Sequence, residues 1–144
     1  MTTIRAARTY DASVIAELDA QLGYPATRQQ IATRLAGIES EPGSEVLVAE
    51  NGDGCVVGWI HVAARSQLTE DACAEVLGLV VDEAERGAGI GEALLRAAEE
   101  WARSTGCMHL RVRSRSERER AHRFYERAGF GLVKTQLVLA KPLT

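Results

Sequence analysis

Leu79-Val80-Val81-Asp82-Glu83-Ala84-Glu85-Arg86-Gly87-Ala88-Gly89-Ile90-Gly91 governs the reading of the whole chain, because it passes from a β-rich run through a polar turn into an amphipathic helix. The helix spans Gly91 to Thr105. Leu94, Leu95, Ala98 and Trp101 fall on one face, Glu92, Arg96, Glu99 and Arg103 on the other, and Gly106 comes next as a C-terminal stop. A strand that turns into a helix N-terminus gathers unpaired N–H groups at the positive end of the helix dipole, and glycines leave that main chain open to a phosphate. The turn therefore reads as an anion cradle. It is not a P-loop, since no Lys followed by Ser or Thr comes after the glycines. Nor is it the dinucleotide pattern G-x-G-x-x-G, since Glu92 or Leu94 stands where the third glycine belongs. A ligand-free glycine-rich connector stays open beside the cradle reading.

Working towards the N-terminus, Ala74 to Val81 reads as a strand, antiparallel to Val56 to Ala63. Glu45 to Ala49 is paired with the latter through the hairpin signal Asn51-Gly52-Asp53-Gly54. Before them come a strand at Ile4 to Ala7, a helix capped by Asp11 with Val14, Ile15 and Leu18 inward, and a helix capped by Thr27 with Ile31, Leu35 and Ile38 inward. Gly23-Tyr24-Pro25 and Glu41-Pro42-Gly43 end these two helices. Towards the C-terminus, Leu110 to Val112 is a short strand, Glu119 to Ala128 a helix ended by Gly129, and Leu132 to Lys141 one or two further strands. The order is β-α-α-β-β-β-α-β-α-β-β, an α/β fold with one mixed sheet and helices on both faces. Ligands in such sheets gather at the carboxyl ends of strands, which points to the turn beyond Val81.

The 144 residues fit one domain, 1–144, with no linker or repeat. Hydrophobic residues make up 46% and charged ones 26%, an ordinary globular composition. The net charge of −3 conceals a split: Arg103 to Arg127 holds eight Arg against three Glu, while Met1 to Ala102 holds seven Arg against seventeen acids. An acidic body with one basic segment argues against nucleic acid as partner and for a localised anionic ligand. Cys55, Cys73 and Cys107 form no C-x-x-C pair and have no His at ligand spacing, so they read as small buried hydrophobes and no metal is expected. Neither a signal peptide nor an apolar run approaching the roughly 18–20 residues of a membrane span is present, so the expectation is a soluble, cytoplasmic protein with no membrane partner.

Two segments carry a resemblance. Arg86-Gly87-Ala88-Gly89-Ile90-Gly91, after Leu79 and Val81 in a Leu-x-Val strand, resembles the acyl-CoA signature of the GNAT family of N-acetyltransferases, (Arg or Gln)-x-x-Gly-x-(Gly or Ala). Ala121-His122-Arg123-Phe124-Tyr125-Glu126-Arg127-Ala128-Gly129-Phe130 resembles that family's later A-x-x-F-Y-x-x-x-G-F segment, and both stand in the family's order. The resemblance implies a small bacterial acetyltransferase whose co-substrate is acetyl-CoA. Arg86, Gly87, Ala88, Gly89, Ile90 and Gly91 would bind the pyrophosphate, and Leu79, Val80 and Val81 would pair their main chain with the pantetheine arm. Leu110 to Val112 would splay away to leave a cleft for the thioester. Tyr125 takes the position of the acid that protonates the leaving thiolate, a sound duty for a phenol within hydrogen-bond reach of sulfur. A core aromatic beside Phe124 is the plainer alternative.

Many members carry a Glu as base on the strand before the Leu-x-Val. Here Glu75 is the only carboxylate within Ala74 to Val81, acting directly or through water, with Glu70, Asp71 and His61 in reserve. In a regular strand Glu75 shares a face with Leu77, Leu79 and Val81, but Gly78 is the kind of residue that marks a bulge, and a bulge exchanges the faces. Arg118 stands where relatives often have an Asn that contacts the cofactor arm. The run Arg111, Arg113, Arg115, Arg118, Arg120 and Arg123 suits the 3′-phosphate of the cofactor; ion pairing with Glu117, Glu119 and Glu126 on a solvated face is the rival reading. The resulting expectation is transfer of acetyl to a primary amine by direct attack, with a small-molecule or peptide acceptor and a homodimer among the partners the reading allows. The resemblance implies that Gly23-Tyr24-Pro25, Trp59 and Lys134-Thr135-Gln136 border the acceptor side. The alternative is a protein that holds acyl-CoA as a sensor or partner subunit with weak turnover.

Overall fold

The computed structural model describes residues 1–115 and 117–144, and its chain divides into two compact units, Met1–Arg113 and Ser114–Thr144. In the first, a five-stranded sheet runs in the order β1 (Thr3–Ala6), β2 (Ser44–Glu50), β3 (Val56–Gln67), β4 (Glu70–Val81) and β5 (Leu110–Val112). The first four strands are antiparallel, and β5 is parallel to β4. Antiparallel neighbours arise from short turns. Between β2 and β3, Asn51 Oδ1 accepts from the N–H groups of Asp53 and Cys55, both at 3.0 Å, and Gly54 takes the positive φ of 78° that closes the turn. This loop leaves Cys55 exposed, contrary to the expectation for all three cysteines; Cys73 and Cys107 are buried. The β3–β4 hairpin is longer than the sequence suggests, reaching Gln67 and Glu70.

Helices α1 (Ala12–Leu22) and α2 (Arg28–Glu39) pack on one face of the sheet. Ala12, Ile15, Ile31 and Leu35 meet Val46 and Val48 of β2 there, with Trp59 against the cluster. Thr27 caps α2 as expected, in a reciprocal pair with Gln30. Asp11 occupies the N-cap position of α1 but does not cap it. Its buried carboxylate turns back to the Arg8 N–H (2.8 Å) and takes both arms of the Arg5 guanidinium at 2.9 Å. Arg5 also reaches Glu50 on β2, so this ion-pair set ties β1 to the start of α1. Helix α3 (Ile90–Ser104) covers the opposite face. Its Leu94 and Leu95 are fully buried, as are Ile60 and Val62 of β3. Its C-terminus closes with Cys107 N–H on the Ala102 carbonyl (3.0 Å) and Gly106 N–H on the Arg103 carbonyl (3.1 Å), Gly106 having φ 83°.

The second unit contains α4 (Glu119–Arg127), ended by Gly129 at φ 98°. Within this unit residues 131–144 are not in a strand, where the sequence suggests one or two between Leu132 and Lys141, and Leu132, Val133, Leu137, Val138 and Leu139 are exposed.

Candidate active site

The decisive irregularity is a β-bulge in β4. His61 pairs with Gly78 but Val62 pairs with Val76, so Leu77 is an extra residue with no partner on β3. The bulge reverses the alternation. Glu75, opposite Ala63, lies on the face that carries Gly78, Val80, His61 and Trp59, and no longer on that of Leu79 and Val81. The face assigned to Glu75 for a regular strand is therefore corrected, for the reason Gly78 signals. Trp59 is that reason in atomic terms: a Cβ at Gly78 would stand 2.6 Å from the Trp59 Cη2 atom, so only glycine lets the indole lie across the strand.

The same point ends the pairing of β4 with β5. Their ladder covers Ala74, Glu75 and Val76 against Leu110, Arg111 and Val112 and goes no further. Within residues 1–113, the β4 main chain from Leu77 to Val81 therefore turns an unpaired edge away from β3, and this edge leads directly into the glycine turn. Asp82 N–H still bonds to the Val57 carbonyl (2.8 Å), and a single 3-10 turn comes next at Glu83–Glu85. Gln21 of α1 holds the start of that turn, its Oε1 accepting from Glu83 N–H at 3.0 Å and its Nε2 reaching Asp82 Oδ1 at 3.5 Å. Gly87 and Gly89 take positive φ, 88° and 80°, and no side chain caps α3. The first bond of the helix runs from Ala93 N–H to the Gly89 carbonyl, so the N–H groups of Ile90, Gly91 and Glu92 precede it. Arg86 and Ala88 are exposed beside them. An open strand edge that ends in N–H groups ahead of the first helical bond fits an extended amide-bearing chain tipped with a pyrophosphate. Ala in place of Gly87 or Gly89 must adopt a left-handed backbone at a cost of about 1 kcal/mol, which also shifts the cradle N–H groups. For Gly87→Ala the expected result is a Kd for acetyl-CoA weakened several-fold with the fold retained; an unchanged Kd in titration calorimetry contradicts the cradle.

Glu75 is 1% exposed and ionically engaged. Arg113 reaches both of its oxygens, at 3.2 and 3.3 Å, and Arg65 approaches Oε2 at 3.5 Å. Arg111, the register partner of Glu75 on β5, makes a two-pronged contact with Glu70 at 2.9 and 3.0 Å. Two members of the basic run are thus occupied by carboxylates of β4, which sequence distance hides. Arg118 sits at the N-cap position of α4, its N–H bonded to the Arg115 carbonyl (3.1 Å), and His122 meets the same carbonyl at 2.8 Å through Nε2. On α4 the Tyr125 ring packs edge-on against Phe124 and Phe130, with centroids 5.2 and 5.6 Å apart. Burial pushes the Tyr125 hydroxyl above its ordinary phenol value, and Arg118 opposes the rise. On the α1–α2 face, burial likewise raises the Asp19 carboxyl, with the nearby Trp59 indole N–H and Arg34 opposing, although neither Asp19 Oδ1 nor Trp59 Nε1 attains hydrogen-bond geometry. Among the described residues no group of His, Cys, Asp and Glu is arranged to hold a metal, and no helix is long and apolar enough to cross a membrane.

The fold is thus a mixed α/β sheet whose open, bulged strand β4 feeds a glycine turn. Residues 12–130 match the family described as the acetyltransferase (GNAT) family, and the chain belongs to it as an acetyl-CoA-dependent N-acetyltransferase. It is 29% identical over 145 aligned residues to an aminoglycoside N(6′)-acetyltransferase type 1 of Stenotrophomonas maltophilia, covering 98% of this chain and 94% of that one. A protein of the same description from Klebsiella aerogenes is 30% identical over 81% of this chain and 78% of its own length. In fold, the chain superposes with a TM-score of 0.87 on an aminoglycoside 6′-N-acetyltransferase of Acinetobacter baumannii, at 16% identity and with all of both chains covered.

Proposed function

We propose that the protein transfers the acetyl group of acetyl-CoA to a primary amine of an aminoglycoside-type acceptor, by direct attack with both substrates bound. The observation that carries this is the unpaired β4 edge from Leu77 to Val81, continuous with the glycine turn at Arg86 to Gly91. That edge supplies amides in register for the pantetheine arm, and the N–H groups ahead of Ala93 supply the anion site. The cofactor contributes an activated thioester. The chain's own residues hold it extended and move protons. Leu77, the bulge residue without a register partner on β3, is where a main-chain donor for oxyanion charge developing at the carbonyl is placed in this reading. Tyr125, matched by its motif, protonates the departing sulfur; burial keeps its phenol protonated at neutral pH, as this duty requires. The aminoglycoside acceptor is supported by the two relatives of that description and by the acidic body of the chain, which suits a polycation.

Glu75 is the base that the strand sequence suggests. A carboxylate engaged by Arg113 and Arg65 relays a proton only through water, and what its surroundings favour is the anchoring of two guanidinium groups where β4 meets β5. A cytoplasmic placement belongs to the same reading. So does a homodimer, supported by the exposed apolar row Leu132, Val133, Leu137, Val138 and Leu139; a single monomeric species at all concentrations in sedimentation contradicts the dimer. The reading as a whole is tested by following thiol release from acetyl-CoA against a panel of aminoglycosides, polyamines and peptides. Release with aminoglycosides bearing a free 6′-amine is expected. Tight binding of acetyl-CoA with no release on any amine shifts the assignment to an acyl-CoA sensor.

A further inference from the structure

A cleft of about 280 Å3 opens beside the β4 bulge. Its walls are the turn between α2 and β2 (Glu41, Pro42, Gly43, Ser44), the β3 residues His61, Ala63 and Arg65, and the bulge residue Leu77. His61 is the unusual member. Its Nε2 is sealed from solvent and has no hydrogen-bond partner, an arrangement that native proteins keep rarely and usually for a reason. Its partners across the ladder are Val46 on β2 and Gly78 on β4, neither of which carries a charge or a polar side chain. Burial holds the ring below the ordinary imidazole value; of the charged groups that face it, Glu41 opposes this by favouring protonation and Arg65 adds to it. The cleft thus offers a neutral imidazole next to Leu77, at the point where β4 parts from β5.

We propose that this cleft seats the acceptor amine and that His61 takes its first proton. The inference rests on the acetyl-transfer reading above and adds the base that Glu75 supplies poorly. Because Nε2 is sealed, this role puts the accepting lone pair on Nδ1. The ammonium gives one proton to Nδ1, and the freed lone pair forms the C–N bond at the thioester carbonyl. The C–S bond then breaks, sulfur leaves with the electron pair and takes a proton from the general acid, and the second proton of the nitrogen passes to solvent, from which the acid is restored. His61 returns its proton to water, so one amide, one thiol and one solvent proton result from one ammonium and one thioester. Glu41 at the rim gives the remaining positive charges of a polyamine-like acceptor a carboxylate to approach.

The test is the pH dependence of kcat/KM for kanamycin in the wild type and in His61→Gln. The wild type should show an acidic limb with a midpoint below about 6.5, the ordinary imidazole value. In His61→Gln the rate should fall by about 50-fold or more. The limb should disappear while the Kd for acetyl-CoA is unchanged. An acidic limb retained in His61→Gln overturns the role of His61. Because the chain has 3 histidines, the imidazole signals of the unmodified protein give an independent reading that requires no variant. Kanamycin should move the signals of His61 and leave those of His109 and His122 in place, and a His61 signal indifferent to a turned-over amine overturns the cleft assignment. Failure of the wild type to acetylate any amine is a separate outcome, and it removes the acetyl-transfer reading together with the proton step.

Discussion

Tyr125→Phe is expected to lower kcat by about 100-fold or more while leaving the Kd for acetyl-CoA within a factor of about two, because general-acid catalysis contributes on that scale and the ring itself is kept. Phenylalanine preserves the edge-on contacts with Phe124 and Phe130, so α4 should hold its conformation. The pH dependence separates an acid from a packing residue. A donor must be protonated, and burial moves the Tyr125 hydroxyl upward from about 10, so the wild-type rate should stay level through neutral pH and decline only on the alkaline side above that value. Tyr125→Phe should lose this decline along with the rate. Equal losses of kcat and of cofactor affinity would indicate that the residue is structural.

The largest effect on stability is expected at Gly78. An added Cβ lies 2.6 and 2.8 Å from the Cη2 and Cζ3 atoms of Trp59, closer than real contacts permit. The indole is held against the cluster of α1, α2 and β2, so it cannot swing aside without repacking that face. Gly78→Ala should therefore cost about 1–3 kcal/mol, the usual range for overpacking, and lower Tm by several degrees. The cause is checked by a double-mutant cycle. In a Trp59→Ala background, itself destabilised, the further cost of Gly78→Ala should shrink to a fraction of its wild-type value. An undiminished cost would place the requirement for glycine in the backbone of the bulge instead of in the indole above it.

These two positions show which features a single sequence discloses. The glycine turn is legible because its residues are local: Arg86 to Gly91 sit together in the chain, and Gly87 and Gly89 take a left-handed backbone there. The helices are legible from periodicity, and the hairpin at Asn51 from its turn residues. Gly78 announces a bulge, but a glycine cannot say which residue is the extra one, and the faces of Glu75 and Leu79 depend on that count. Contacts between distant residues are out of reach. Nothing near Gln21 in the chain signals that it holds Glu83, and nothing near Arg111 or Arg113 that Glu70 and Glu75 are their partners. Asp11 misleads for a related reason: it stands at a cap position, but Arg5 and the Arg8 N–H compete successfully for its carboxylate. His61 ranks in the sequence only as a reserve candidate because a lone histidine on a strand is ordinary; the sealed Nε2 and the cleft beside it distinguish this one.

Mass spectrometry after incubation of the protein with acetyl-CoA and kanamycin tests the central claim most directly. Direct attack predicts one acetyl group on the 6′-nitrogen of the aminoglycoside, stoichiometric free thiol, and an intact protein of unchanged mass. Acetyl found on the protein, or kanamycin recovered unmodified while acetyl-CoA stays bound, would contradict it.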